Sequence, residues 1–228
     1  MLDYIKHIDT SLTLLLNGSD CTFVDGIAIT ATSTIVWMPI AIVLLYLIIK
    51  NHKPIDSVLV ILGIGIVIFL ADQMASGICK PYFCRFRPTH DPEIKHLIDI
   101  VNGYRGGTYG FFSSHAANTF AVATFLTFIF KNYKTAILLY SWALLNCWTR
   151  IYLGVHFLGD ILTGIVWGLL VGICTFYAIR YLRRVYFNKK GCPITPLSNY
   201  NKTDINVFNI TILITYLCIP IIGLFVVD

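Results

Sequence analysis

Six apolar stretches divide this chain, at about 27–50, 57–79, 113–131, 135–153, 157–181 and 207–227. Each is close to the roughly 20 residues that a helix needs to cross the hydrocarbon of a bilayer. They limit the chain to an all-α architecture, a polytopic membrane helical bundle of about six transmembrane helices. Composition agrees, because only 13% of the residues are charged, against about 25% in a soluble domain. The length of 228 residues suits one membrane domain spanning 1–228, and neither a polar linker nor an internal repeat divides it.

The beginning of the chain is different. From Met1 to Leu16, Leu2, Ile5, Ile8, Leu12 and Leu15 recur at helical spacing between Asp3, Lys6 and Asp9. That pattern predicts a short amphipathic helix lying on the membrane surface. The acidic residues and the lack of a basic start argue against a cleaved signal peptide.

Sidedness follows from the loop cations. Lys50, Lys53, Lys131, Lys134, Arg180, Arg183, Arg184, Lys189, Lys190 and Lys202 are ten of the 17 Lys and Arg residues, and all fall in loops after the first, third and fifth stretches. The positive-inside rule makes that side cytoplasmic. The net charge of +5 is thus a matter of topology and anionic head groups, and no nucleic-acid partner is expected. Seven cysteines, several of them inside apolar stretches as Cys147, Cys174 and Cys218 are, do not look like a disulfide framework. Cys79 and Cys84 stand near enough for pairing, although free thiols are the simpler reading.

Three polar segments fall on the other, outward side. The first is Lys80-Pro-Tyr-Phe-Cys-Arg-Phe-Arg87-Pro88, the second is Phe112-Ser113-Ser114-His115, and the third runs from Arg150 through His156 to Asp160. Charges at membrane depth are costly, about 2.5–3.5 kcal/mol each at mid-helix by insertion scales. Their gathering on one side therefore points to a site. Lys80-x6-Arg87-Pro88, Ser113-Ser114-His115 and Arg150-x5-His156-x3-Asp160 together resemble the three-part motif of the type-2 phosphatidic acid phosphatase and vanadium haloperoxidase superfamily, in its membrane lipid phosphatase branch. The resemblance covers about residues 80–160. Two departures from the family pattern are visible, since Phe112-Ser113-Ser114-His115 stands where that family has Pro-Ser-Gly-His and Thr149 where it has Ser.

The residue types suit phosphate chemistry in their own right. Phosphoryl transfer is mostly positioning and charge stabilisation, and Lys80, Arg87 and Arg150 supply three cations, the arginines able to grip two oxygens at once. Ser113 and Ser114 stand where a helix N-cap stands, next to free backbone N–H groups that suit an anion. His156 is the candidate nucleophile, and Asp160 at i+4 shares its helical face and orients the ring. His115 is the candidate general acid. The resemblance implies the same roles, with a phosphohistidine on His156 that water hydrolyses. No metal and no cofactor is expected, because the cations neutralise the phosphate and the sequence has no carboxylate cluster to hold a metal.

The expected activity is hydrolysis of a phosphomonoester or diphosphate of a membrane lipid at the outward, periplasmic or extracytoplasmic leaflet of a bacterial inner membrane. Undecaprenyl diphosphate and phosphatidylglycerophosphate lead as substrates, followed by phosphatidic acid and lipid A phosphates. Two alternatives stay open: a lipid phosphotransferase using the same pocket, and a non-catalytic protein that binds or transports anionic lipids. The oligomeric state is not legible. Asp72 is read either as a partner for Arg85 or Arg87 or as a structural charge. His7, His52, His90 and His96 read as solvated loop residues, and the Asn-x-Ser/Thr matches at Asn17, Asn201 and Asn209 are assigned nothing. Between the first two motifs, Asp91-Pro92 followed by Ile94, Leu97, Ile98 and Val101 predicts a short helix on the outer leaflet. It would act either as a gate for a lipid tail or as packing, with Gly103, Gly106, Gly107 and Gly110 making a flexible return.

Overall fold

The computed structural model describes residues 2–190, 197 and 200–227. Among these the chain is helical and has no strand. Helix α1 spans Leu2–Leu16 and α2 spans Thr22–Thr32. A 3-10 turn at Thr34–Trp37 leads into α3, Met38–Asn51. Helix α4, Pro54–Asp72, passes through a π-helical segment, Gln73–Cys79, into α5, Lys80–Phe83, to give one 30-residue rod. Then follow α6 (Ser114–Phe130), α7 (Tyr133–Tyr152), α8 (Leu158–Lys189) and α9 (Lys202–Gly223).

Each of the six apolar stretches becomes helical, but not uniformly. The first is broken at Ser33, whose extended backbone separates α2 from α3. Beside the break the Trp37 indole N–H donates to the Ala31 carbonyl at 2.9 Å. Four helical segments are long and apolar enough to cross a membrane: Thr34–Asn51, Pro54–Phe83, Leu158–Lys189 and Lys202–Gly223. A count of about six adds α6, which has 17 residues, and α7, which has a more polar composition. Helix α6 lies in the interior: Phe120, Phe125, Leu126, Ile129 and Phe130 are all buried on it, whereas α3 buries only Leu47 and Ile48. A helix enclosed by protein need not be apolar on every face.

The most extensive packing among the described helices joins α6 to α8. Gly164, Gly168 and Gly172 line one face of α8 at four-residue spacing. A Cβ at these positions would stand 2.6 Å from the Ser113 carbonyl oxygen, 2.5 Å from that of Ala117 and 2.7 Å from that of Ala121. Hydrogen alone fits there, so the two backbones approach as in small-xxx-small membrane pairs. This contact sets the start of α6 beside the start of α8. At the far end, Asp56 of α4 accepts two buried hydrogen bonds from Arg183 of α8, at 2.6 and 3.0 Å. The loop cations lie at that far end, and the three motif segments lie together at the other.

Two expectations need correction. Residues 92–97 form tight turns and not a surface helix. Within the segment Leu97 is exposed, while Ile98 is buried and packs on Gly154. Asn17 pins its end, accepting from the Asp99 amide at 2.8 Å and donating to the Asp99 and Tyr152 carbonyls. The glycine-rich return is likewise held. Arg87 N–H donates to Thr108 O at 3.0 Å, Gly110 N–H donates to Arg85 O at 2.8 Å, and Phe86 and Tyr109 form an antiparallel bridge. The α1 helix forms as expected, with Tyr4, Ile5, Ile8, Leu12 and Leu15 exposed along it.

Candidate active site

The site is assembled from four helix ends and two loops. Ser113 caps α6, its hydroxyl accepting from the Ala116 N–H at 3.4 Å, and its own N–H donates to the Asp160 carbonyl at 3.1 Å. The residue is fully buried, so its hydroxyl serves the helix start. The next residue, at the departure from the family pattern, has a defined part. Lys80 Nζ donates to Ser114 Oγ at 3.0 Å and to Ser76 Oγ at 3.1 Å. Ser76 in turn donates to Asp72 Oδ1 at 3.1 Å. Asp72 therefore supports Lys80 through a serine; it is not the partner of Arg85 or Arg87.

Arg150, at the end of α7, is the largest fully buried side chain, at 1% exposure. Its Nε donates to Thr149 Oγ1 at 3.3 Å, so the second departure keeps a hydroxyl that does useful work. Its Nη1 donates to the Tyr104 hydroxyl at 3.1 Å, and the guanidinium lies 5.5 Å from the Tyr104 ring centre. Its Nη2 is buried with no hydrogen-bond partner among the described residues. Arg87 donates from Nε to Tyr109 O at 3.1 Å and spends neither Nη group on the protein among the described residues.

His156 lies in the short loop between α7 and α8, at 1% exposure. Its Nδ1 faces Asp160 Oδ2 at 3.4 Å, and its Nε2 makes no hydrogen bond among the described residues. Burial pushes the ring's pKa down to about 4; the Asp160 carboxylate opposes that shift, and Arg87 and Arg150 add to it. The site thus holds a neutral imidazole with one nitrogen oriented by a carboxylate and the other without a hydrogen-bond partner among the described residues. His115, in the first turn of α6, is exposed at the opening. Its ring interacts electrostatically with Arg150, His156, Arg87 and Lys80, which places the second imidazole in the same cluster.

Asp160 is fully buried and its oxygens are divided. Oδ2 receives the Phe157 N–H at 3.1 Å as well as facing His156, and Oδ1 receives Arg85 Nη1 at 2.7 Å. Gly110 forms the wall here: a Cβ on it would stand 3.1 Å from Asp160 Oδ2 and 3.5 Å from His156 Nδ1. All eight residues expected from the sequence therefore lie at one end of the bundle. Sequence reasoning missed Tyr104 as the support of Arg150, and it gave Arg85 no part of its own. The Arg85-x-Arg87 alternation in an extended segment was an available signal, because residues two apart on such a backbone share a side. Cys79 and Cys84 are both free thiols.

Comparison with known proteins places this arrangement among relatives. The model of the PAP2 superfamily matches residues 57–184, a range that contains all three motif segments. A lipid A 4'-phosphatase of Porphyromonas gingivalis is 33% identical over 212 residues, covering 93% of this chain and 89% of that protein. A lipid A 4'-phosphatase of Bacteroides thetaiotaomicron is 38% identical over 170 residues, covering 74% and 75%. Among solved structures, that of a transmembrane PAP2 type phosphatidylglycerolphosphate phosphatase from Bacillus subtilis superposes with a TM-score of 0.55. It shares 21% identity over 81% of this chain and 87% of that one, so the likeness is one of fold.

Proposed function

The chain belongs to the PAP2 superfamily, and we propose that it is an integral membrane lipid phosphatase that cleaves a phosphomonoester from a lipid A type glycolipid. The observation that carries the reading is the buried Nη2 of Arg150, which has no hydrogen-bond partner among the described residues and belongs to the cluster that interacts electrostatically with His156. A buried donor without an acceptor costs about 1–3 kcal/mol, and more when charged. An anion seated on Arg150, Arg87 and Lys80 would remove that cost. The choice among lipids rests on the two relatives, whose names specify lipid A. Undecaprenyl diphosphate, phosphatidylglycerophosphate and phosphatidic acid present the same phosphoryl group and stand behind it.

In this reading His156 Nε2 attacks phosphorus, the bond from phosphorus to the lipid oxygen breaks, and the departing alkoxide takes a proton from His115, whose charged form the bound phosphate's negative charge would support. Water then attacks phosphorus, the bond from phosphorus to His156 Nε2 breaks, the water's proton passes to His115, and inorganic phosphate leaves. Asp160 holds the His156 tautomer and stabilises the positive ring as it forms. Lys80, Arg87 and Arg150 neutralise the phosphoryl oxygens, the part that a divalent cation plays in other enzymes. The site would face the outward leaflet, because the cation-rich loops lie at the other end of the bundle.

The test is a lipid panel on the purified protein in liposomes with a chelator present. Phosphate release fastest from a bis-phosphorylated lipid A is expected. Release from none of lipid A, undecaprenyl diphosphate, phosphatidylglycerophosphate or phosphatidic acid would contradict the reading.

A further inference from the structure

The N-terminal helix reaches into the reaction centre through one arginine. Arg85 lies between two carboxylates: its Nη1 donates to Asp160 Oδ1 and its Nη2 to Asp9 Oδ2, each at 2.7 Å. Its guanidinium also stacks over Phe157, 4.2 Å from the ring centre, so it cannot swing freely. Asp9 belongs to α1, and its other oxygen accepts the Gly159 N–H at 2.7 Å. One turn on, Thr13 is fully buried and its hydroxyl accepts the Leu158 N–H at 3.1 Å. These are two of the orphan amides at the start of α8, the helix that carries Asp160. A side chain of α1 thus fixes the helix start that carries the carboxylate, and through Arg85 it fixes the carboxylate's outer oxygen.

We propose that Asp9 and Arg85 are positioning residues for the reaction, with α1 acting as a clamp that holds Asp160 against His156. The proposal rests on the lipid phosphatase reading. The geometry explains why both carboxylates face one arginine. Asp160 Oδ1 points away from His156, and without a fixed cation the carboxylate could rotate and give its Oδ2 to other donors. Arg suits the place, because its planar fork can hold two separate carboxylates in one geometry, whereas Lys presents a single point charge. The side of α1 that adjoins Asp9 and Thr13 is exposed and apolar through Ile5, Ile8, Leu12 and Leu15. The clamp therefore has an apolar surface of its own.

The experiment measures kcat and KM on bis-phosphorylated lipid A in liposomes for the full chain and four variants: Asp9→Asn, Arg85→Ala, Arg85→Lys and the Asp9→Asn/Arg85→Ala pair. Asp9→Asn keeps an acceptor for the Gly159 amide and removes only the charge. A misplacement of about 1 Å in a catalytic group costs on the order of 100-fold. Arg85→Ala should accordingly lower kcat by about 10- to 100-fold and Asp9→Asn by less, with KM changed little in either. Arg85→Lys should recover part of the loss, and the double variant should be no worse than Arg85→Ala. Thermal unfolding in detergent identifies any variant that has merely lost its fold, in which case Arg85→Lys and Asp9→Asn carry the result. Losses confined to KM, or adding fully in the double variant, would overturn the positioning role. Unchanged kcat in Asp9→Asn and Arg85→Ala beside an active wild type would overturn this inference alone. An inactive wild type would overturn the phosphatase reading itself.

Discussion

His156 is held neutral and oriented by what surrounds it. A buried imidazole with a pKa near 4 is neutral at pH values where an ordinary one is half charged, since the unperturbed value is about 6.5. The carboxylate on Nδ1 leaves Nε2 as the atom that would attack in the proposed mechanism. The same depression has a stability consequence. The folded state favours the neutral ring, so this contribution is fully present above about pH 6.5 and is lost as pH falls from there towards 4. His156→Gln, which cannot titrate, lacks that loss. Thermal unfolding of the two proteins at pH 7.5 and pH 4.5 should show wild type losing ground relative to the variant at the lower pH; an unchanged difference would contradict the buried neutral ring. Residue types and spacing made His156, Asp160, His115 and the three cations legible, because phosphate chemistry uses few side chains. Asp9 and Arg85 were not legible as a pair, because 76 positions separate them in sequence and only the fold brings α1 back over α8.

At the scale of elements, the site depends on how closely α6 and α8 approach. Gly164 meets the Ser113 carbonyl, the residue that starts α6, while Gly172 meets Ala121 two turns deeper. An added methyl forces either backbone aside, and overpacking of this kind costs about 1–3 kcal/mol. Gly164→Ala and Gly172→Ala should lower the unfolding temperature by similar amounts, yet Gly164→Ala should lose much more activity, because it moves the His115 end of α6. Equal activity losses at equal destabilisation would show that the helix contact does not set the site geometry. The helices themselves were readable from apolar length. The break at Ser33 and the turns at 92–97 were not, because apolar length does not report the anchoring contacts found there. Asn17 and the burial of Ile98 hold the latter segment as turns in spite of its helical spacing.

At the scale of the molecule, charge is sorted along the bundle. One end carries the loop cations and the buried Asp56 and Arg183 pair, whose loss on removing one partner would cost about 3–5 kcal/mol. The other end carries Arg150 and Arg87, whose Nη groups are not all hydrogen-bonded among the described residues. In the proposed function a phosphorylated lipid supplies the anion that these groups would hold. The central claim is that the free imidazole among those cations performs the transfer. It is tested most directly by phosphate release from bis-phosphorylated lipid A in liposomes, with a chelator present, by wild type and by His156→Ala with matched unfolding behaviour. Release by wild type and none above background by His156→Ala is the predicted result; turnover at a comparable rate in the variant would contradict the account.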